Sequence, residues 1–330
     1  MRLVVAPDKF RGSARADEVV DAAARAATAR GWTSVGQPMA DGGEGTLAAL
    51  GGANRTRTVT GPLGDPVEAA WRLNGETAVI EMAEASGLAL VPEGDNDPLA
   101  ASTYGTGELI AFAVERGARR IVVGVGGSAT TDGGLGALRA MHPLQRYRAI
   151  EIVVACDVET HFTDAARIFG PQKGASNAEI GLLTGRLERL AQVYEAEHGV
   201  DVSALPRAGA AGGLAGGLAA IGADLLGGFE VIADEVGLAD ALLHADLVVT
   251  GEGKLDDQSF EGKVVGGVAA LAVEIDVPVL AIAGQVELSK PPPLGLTIVS
   301  LTERFGADAS MNRTVECIES VIADWSPPGL

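Results

Sequence analysis

The sequence predicts an α/β protein made of two α/β domains, a parallel-sheet domain with a second, mixed α/β domain inserted into it. Three observations lead there. Apolar strand-like runs alternate with helical patterns at both ends of the chain, the rhythm of a parallel sheet. Between them the texture changes to alternating residues with Gly-Pro, Gly-Asp-Pro and Asn-Gly turns, as in antiparallel hairpins. The 330 residues include 45 glycines, placed between periodic segments and not in repeats, which suits tight strand-to-helix turns.

Taken in order, "RLVVAPD" (2–8) predicts a strand whose loop begins at Pro-Asp. "SARADEVVDAAARAATARG" (13–31) predicts a helix capped by Ser13, with a stripe of Val19, Val20, Ala23 and Ala27, stopped at Gly31. "SVGQPMADGGEG" (34–45) is a second strand running into a glycine loop, and "TLAALGG" starts a helix. Residues 55–90 predict hairpins, one of them turning at Asn74-Gly75. A loop and helix (101–118) precede the strand "ARRIVV", which opens into "GVGGSATTDGG" (124–134). Further on come a buried strand (150–158), a long helix (176–199), a glycine-rich stretch (209–217) and a strand at "GFEVIADEVG" (228–237). Three apolar strands close the chain, at 245–253, 278–286 and 296–303, with a helical pattern between the first two. With the two at the start they make five, the number of a flavodoxin-like sheet. The economical division puts 1–52 and 240–330 in the flavodoxin-like domain and 53–239 in the insertion. The crevice between them is then the expected active site.

Composition narrows the function. A formal net charge of −19 and no basic stripe argue against nucleic acid, whose binding is dominated by Lys and Arg on phosphates. The longest uncharged stretch, 208–223, is too short and too glycine-rich for a bilayer, so no membrane is expected. "MRLVVAP" is too short an apolar run for a signal peptide. Cys156 and Cys317 sit in apolar patterns, and the four histidines have no metal-ligand spacing, which fits a reducing cytoplasm.

The chemistry gathers at strand ends. Asp8, Asp41, Asp157, Glu252 and Asp256 all lie where an apolar strand gives way to a loop. In open α/β sheets the ligand sits there, and carboxylates serve it by holding Mg²⁺ or accepting a hydroxyl proton. The glycine loops "ADGGEG", "YGTG", "GVGGSATTDGG" and "GAAGG" let backbone amides approach an anion. None is a Walker A loop, because "FEGKVV" lacks the hydroxyl residue after Lys263. None is a dinucleotide fingerprint, because Ala129 stands where the third glycine belongs. Lys9, Arg11, Lys173, Lys254 and Lys263 are the cations near these loops. The residues alone lead to an enzyme handling a phosphorylated ligand with Mg²⁺. A nicotinamide oxidoreductase and a sugar-acid-binding sensor stand as alternatives.

Together the motifs "APDKFRGS", "PMADGGEGT", "GPLGDPVEA", "AVIEMAEASGLALV", "ASTYGTGELI", "GVGGSATTDGG", "FGPQKGA", "RAGAAGGLAGGL" and "ADLVVTGEGKLDDQSFEGK" resemble the bacterial glycerate kinase family. The resemblance implies ATP-dependent phosphorylation of D-glycerate, on the 2-hydroxyl in most members, and a flavodoxin-like domain with a second α/β domain inserted. ATP and Mg²⁺ are the implied cofactors and D-glycerate the partner, with a homodimer as a candidate assembly. Motif chemistry then nominates Asp8, Lys9, Asp41, Lys173 and Asp256 as catalytic. It nominates Gly42, Gly43, Ser102, Thr103, Thr106, Gly126, Gly127, Ser128, Thr130, Gly212, Gly213, Glu252 and Lys254 for substrate and phosphate, and Asp157 with Asp256 for Mg²⁺. The chain departs from the family pattern in a shortened segment after "TTDGG" and in "ETHFTDAARI" after Asp157.

Overall fold

In the computed structural model, which describes residues 1–293 and 295–326, the apolar runs become strands at the predicted places. In chain order they are β1 (Arg2–Val5), β2 (Thr33–Gly36), β3 (Arg55–Thr60), β4 (Pro66–Asn74), β5 (Thr77–Glu81), β6 (Arg120–Gly124), β7 (Glu151–Cys156), β8 (Asp224–Gly227), β9 (Leu247–Asp256), β10 (Val279–Glu287) and β11 (Leu296–Ser300). The chain divides into two units. One holds Met1–Asp41, Ala48–Leu50 and Phe229–Leu330, the other Gly42–Leu47 and Gly51–Gly228. Each is an α/β unit with its own sheet.

The first unit carries a five-stranded sheet in the order β11-β10-β9-β1-β2, parallel throughout. Parallel strands are covered on both faces and read as continuous apolar runs, and Leu3, Val4, Val5, Val248 and Val249 are all buried. The helices Ala16–Ala29 and Thr314–Asp324 lay Val19, Ala23, Ile318 and Ile322 on one core. The first helix is not capped by Ser13. Its N-cap is Arg15, whose amide donates to the Glu18 carboxylate at 2.9 Å, while the Ser13 hydroxyl donates to the Phe10 carbonyl in the preceding turn.

The second unit has a six-stranded sheet, β3-β4-β5-β6-β7-β8. The β3-β4-β5 meander is antiparallel and the remaining pairs are parallel. Asn74 pairs with Thr77, so the tight turn is Gly75-Glu76, one residue later than the Asn-Gly pair suggested. The helix Asn177–His198 begins on a capping box: Ser176 and Glu179 satisfy each other's amides.

One predicted strand is a helix. Gly228–Glu235 is helical and Asp224–Gly227 forms the strand before it. Phe229, Ile232 and Ala233 are buried at helical spacing, with Glu230 and Asp234 turned to solvent. A short apolar run admits both periods, and here the four residues before it, Asp224–Gly227, pair with β7 instead.

Candidate active site

In the first unit the strand register brings two acids together. Val5 of β1 pairs with Val249 of β9, and the ladder runs on past β1 as Ala6 and Asp8 donate to the carbonyls of Val249 and Gly251, at 2.8 and 2.9 Å. Asp8 and Glu252 each lie three residues beyond that pair, Asp8 past the end of β1 and Glu252 inside β9, which stays paired with β10 as far as Asp256. Gly251 must be glycine, because a Cβ there would strike the Ile282 carbonyl of β10.

Burial raises the Asp8 carboxyl to about 6, and the negative charge of Asp41 adds to it; Lys9 and Arg11 pull the other way. The Lys9 amide donates to Asp8 Oδ1 at 2.7 Å. Glu252 is pushed up to about 7, again by burial first; a hydrogen bond from Ser259 opposes the rise, and the charge of Asp8 reinforces it. Glu252 Oε1 is a buried oxygen with no hydrogen-bond partner. A pair of half-buried carboxyls poised near neutrality is suited to taking a proton or to meeting a cation.

The neighbouring candidates have other duties. Asp256 caps the turn Asp257–Phe260, its carboxylate accepting from the Gln258 amide. Lys254 is exposed and paired with Glu287 at 2.7 Å.

In the second unit β6 ends at Gly124, and the loop that follows splits into two halves. The first packs on backbone. The Val125 amide donates to the Gly42 carbonyl, and a Cβ on Gly126 would lie 2.5 Å from Gly43 Cα. A Cβ on Gly42 would lie 2.5 Å from the Ala155 carbonyl oxygen. Gly42 and Gly126 are therefore glycines that close chain packing requires. Among the described residues the amides of Gly127 and Ser128 find no backbone acceptor.

The second half of the loop holds Lys173. This lysine ends the short turn Pro171–Lys173 and is 2% exposed. Its ammonium donates to Ser128 Oγ at 2.7 Å and to the Thr130 carbonyl at 2.6 Å. Burial pulls it down to about 7, partly offset by the charge of Asp132. Asn96 ties the arrangement together, donating to the carbonyls of Lys173 and Ala129, and its own Oδ1 is buried without a partner. Lys173, Asn96, Gly127, Glu44, Glu81 and Glu84 border one cavity of about 860 Å³. An ammonium has three donors and two are used here. Residues lining one cavity thus offer a spare N–H, on Lys173, and an orphaned acceptor, on Asn96, a combination that a hydroxy acid satisfies.

Several nominated residues serve the scaffold instead. Ser102 and Thr103 bind the Asp132 carboxylate, which also accepts from the amides of Gly134 and Gly136. The Thr106 hydroxyl pairs with Ser86, fully buried. Gly212 and Gly213, at φ +65 and +92, press on the backbone of Thr130 and Gly133. Asp157 is exposed at the end of β7, in a different unit from Asp256. Sequence reasoning passed over Asn96 and Asp132; "TTDGG" carried a signal for the second, an acid just ahead of a helix start.

A model of the glycerate kinase family matches residues 3–144 and 142–323. The chain belongs to this family. It is 44% identical over 311 residues to the uncharacterized Mycobacterium tuberculosis protein MT2261, covering 88% of this chain and 80% of that one. It is 41% identical over 329 residues to the glycerate 2-kinase of Escherichia coli K12, covering 86% and 85%. A crystal structure of a glycerate kinase 2, described as putative, from Salmonella typhimurium LT2 superposes with a TM-score of 0.82 at 36% identity, covering 98% and 97%. The chain is an enzyme of the glycerate kinase type. No described helix is long and apolar enough to cross a membrane.

Proposed function

We propose that this family member transfers the terminal phosphoryl group of ATP to the 2-hydroxyl of D-glycerate, giving ADP and 2-phosphoglycerate. The observation that carries the reading is Lys173, an ammonium buried on a glycine loop with neutral partners only, one donor unused and an orphaned amide oxygen nearby. A buried cation whose hydrogen-bond partners are all neutral is costly, and Asp132 offsets only part of that cost, so a ligand that supplies negative charge is favoured. Lys173 with the Gly127 and Ser128 amides is suited to an anionic oxygen, and Asn96 Oδ1 to a hydroxyl donor.

In the first unit Asp8 takes the proton of the attacking 2-hydroxyl as the new O–P bond forms. Its carboxyl titrates close enough to neutrality to work as a general base. Charge neutralisation and positioning supply the rest, as in other phosphoryl transfers.

Among the described residues no three His, Cys, Asp or Glu side chains form a metal cage. Mg²⁺ bound with a nucleotide asks for only one or two carboxylates, and the unpartnered buried oxygen of Glu252 fits that demand. Glu252 would hold the ion, in place of Asp157 and Asp256, and the ion would neutralise phosphate charge. Two free, buried cysteines suit a reducing cytoplasm.

The test is a coupled assay with ATP, Mg²⁺ and D-glycerate, followed by phosphorus NMR of the product. ADP release with a 2-phosphate ester is expected. No ADP above background would overturn the activity, and a 3-phosphate ester would overturn the regiochemistry alone.

A further inference from the structure

The glycine loop has a reverse side that the kinase chemistry leaves unused. Beyond Thr130, the residues Thr131 and Asp132 floor a second groove of about 820 Å³, walled by Leu99 and Leu135 on one side and by Leu190 and Val193 of the helix Asn177–His198 on the other. That volume is within the range of small-molecule sites.

Three observations show a groove built to stay open. Gly181 and Gly185, one helical turn apart, both line it, and a Cβ at either position would meet nothing within 4 Å. Glycine weakens a helix interior, and nothing within this unit requires it at these two places. The Thr131 side chain lines the floor at 2% exposure, and its Oγ1 has no hydrogen-bond partner. Buried hydroxyls in native proteins are satisfied as a rule. Finally, Arg139, Arg186 and Arg189 edge the groove in a chain of net charge −19. Among the described residues none of the three pairs with a carboxylate: Arg186 donates to the Leu99 carbonyl and Arg189 to Gln192. The one acid in the groove, Asp132, is already surrounded by the Thr103 hydroxyl and the amides of Thr103, Gly134 and Gly136.

We propose that this groove is a binding site for a small amphipathic anion, an apolar or aromatic body carrying a carboxylate, sulfonate or phosphate. The apolar body lies between the leucines over the two glycines, the Thr131 hydroxyl meets a polar edge, and the arginines take the charge. The floor is continuous with Thr130, whose carbonyl receives Lys173. Occupancy therefore bears on the loop that carries the buried ammonium. The inference stands apart from the kinase reading, because it uses none of the same side chains.

The probe is 8-anilinonaphthalene-1-sulfonate, an aromatic anion whose fluorescence reports apolar binding, titrated into the full chain. One saturable site is expected, undisturbed by ATP or D-glycerate. Gly185→Leu, which fills the groove at an exposed helical position, weakens the dye at least tenfold with an unchanged melting temperature. The Arg186→Ala, Arg189→Ala double variant weakens it by about tenfold as well. Equal dye binding in Gly185→Leu overturns the proposal. So does displacement of the dye by ATP, which would make the groove part of the substrate site. A shift of oligomeric state in Gly185→Leu, measured by sedimentation, also overturns it and makes the groove a contact between copies.

Discussion

The Lys173 ammonium donates to the Ser128 hydroxyl at 2.7 Å, so a cation is held inside the second unit by a neutral partner. An ammonium in that position is an unfinished interaction. Removing it as Lys173→Met should lower kcat/KM for D-glycerate by about 100- to 1,000-fold, the usual cost of losing one preorganised charge stabiliser. Steady-state kinetics beside a melting curve check this; wild-type kinetics would assign Lys173 to the scaffold.

The same lysine sets a pH dependence of stability. Its folded value of about 7 lies below the ordinary 10.5. Between those values the unfolded chain holds a proton that the folded chain has released, so Lys173 makes stability rise with pH across that window. Below about 7 the buried charge weighs against folding. Denaturant unfolding at pH 6, 8 and 9.5 should show the rise in the wild type and a flatter profile in Lys173→Met.

Asp8 and Glu252 act with the opposite slope. Their carboxyls are raised, to about 6 and about 7, so the folded chain holds protons that the unfolded chain has lost between roughly pH 4 and 7. Stability falls as pH rises through that range, and Asp8→Asn or Glu252→Gln should flatten the fall. Activity moves the other way, because a base works deprotonated. The expected profile of kcat/KM rises through about pH 6, and Asp8→Asn lowers kcat by about 100- to 10,000-fold. A wild-type-like profile in Asp8→Asn would remove it as the base.

Lys9 and Lys254 should separate cleanly. Lys254 is exposed and engaged with Glu287, so Lys254→Ala is expected to leave kcat/KM within about twofold, as for most surface pairs. Lys9 follows Asp8 and its charge holds that carboxyl down. Lys9→Ala should cost at least about tenfold in kcat/KM, roughly 1.4 kcal/mol, and shift the acid limb of the rate profile to higher pH.

Gly212→Ala tests the packing behind the loop. The residue sits at φ +65 and a Cβ would run into the Thr130 carbonyl. Strain of this kind is worth about 1–3 kcal/mol per residue, read as a lower unfolding midpoint. Since Thr130 also receives Lys173, activity should fall with it.

Most of the fold was legible because parallel strands are apolar on both faces and their loops announce themselves with glycine and aspartate. The placing of Asp8 beyond β1 followed from the same signal, whereas Glu252 lies inside β9, which runs on to Asp256 because it pairs with the long β10. Burial was not legible. "FGPQKGAS" does not reveal that its lysine is enclosed, and "EGDNDP" does not reveal that Asn96 reaches the same loop, since both depend on contacts distant in sequence. Gly42, Gly126, Gly212 and Gly213 looked like an anion cradle; they are needed because chain packs on chain, a demand with the same composition. Residues 228–237 were misread for want of length, and Ser13 because a hydroxyl near a helix start also serves the turn before it.

The pairing of β1 with β9 also bears on how the chain is made. β1 lies inside the first sheet between β2 and β9, yet β9 leaves the ribosome some two hundred and forty residues after it. The whole of the second unit is synthesised in between. That unit can close its own sheet during translation, while β1 and β2 wait with apolar faces uncovered. Nascent chains stalled before β9 should therefore expose the apolar β1–β2 segment after the second unit has folded, and this is the stage at which a chaperone has most to protect.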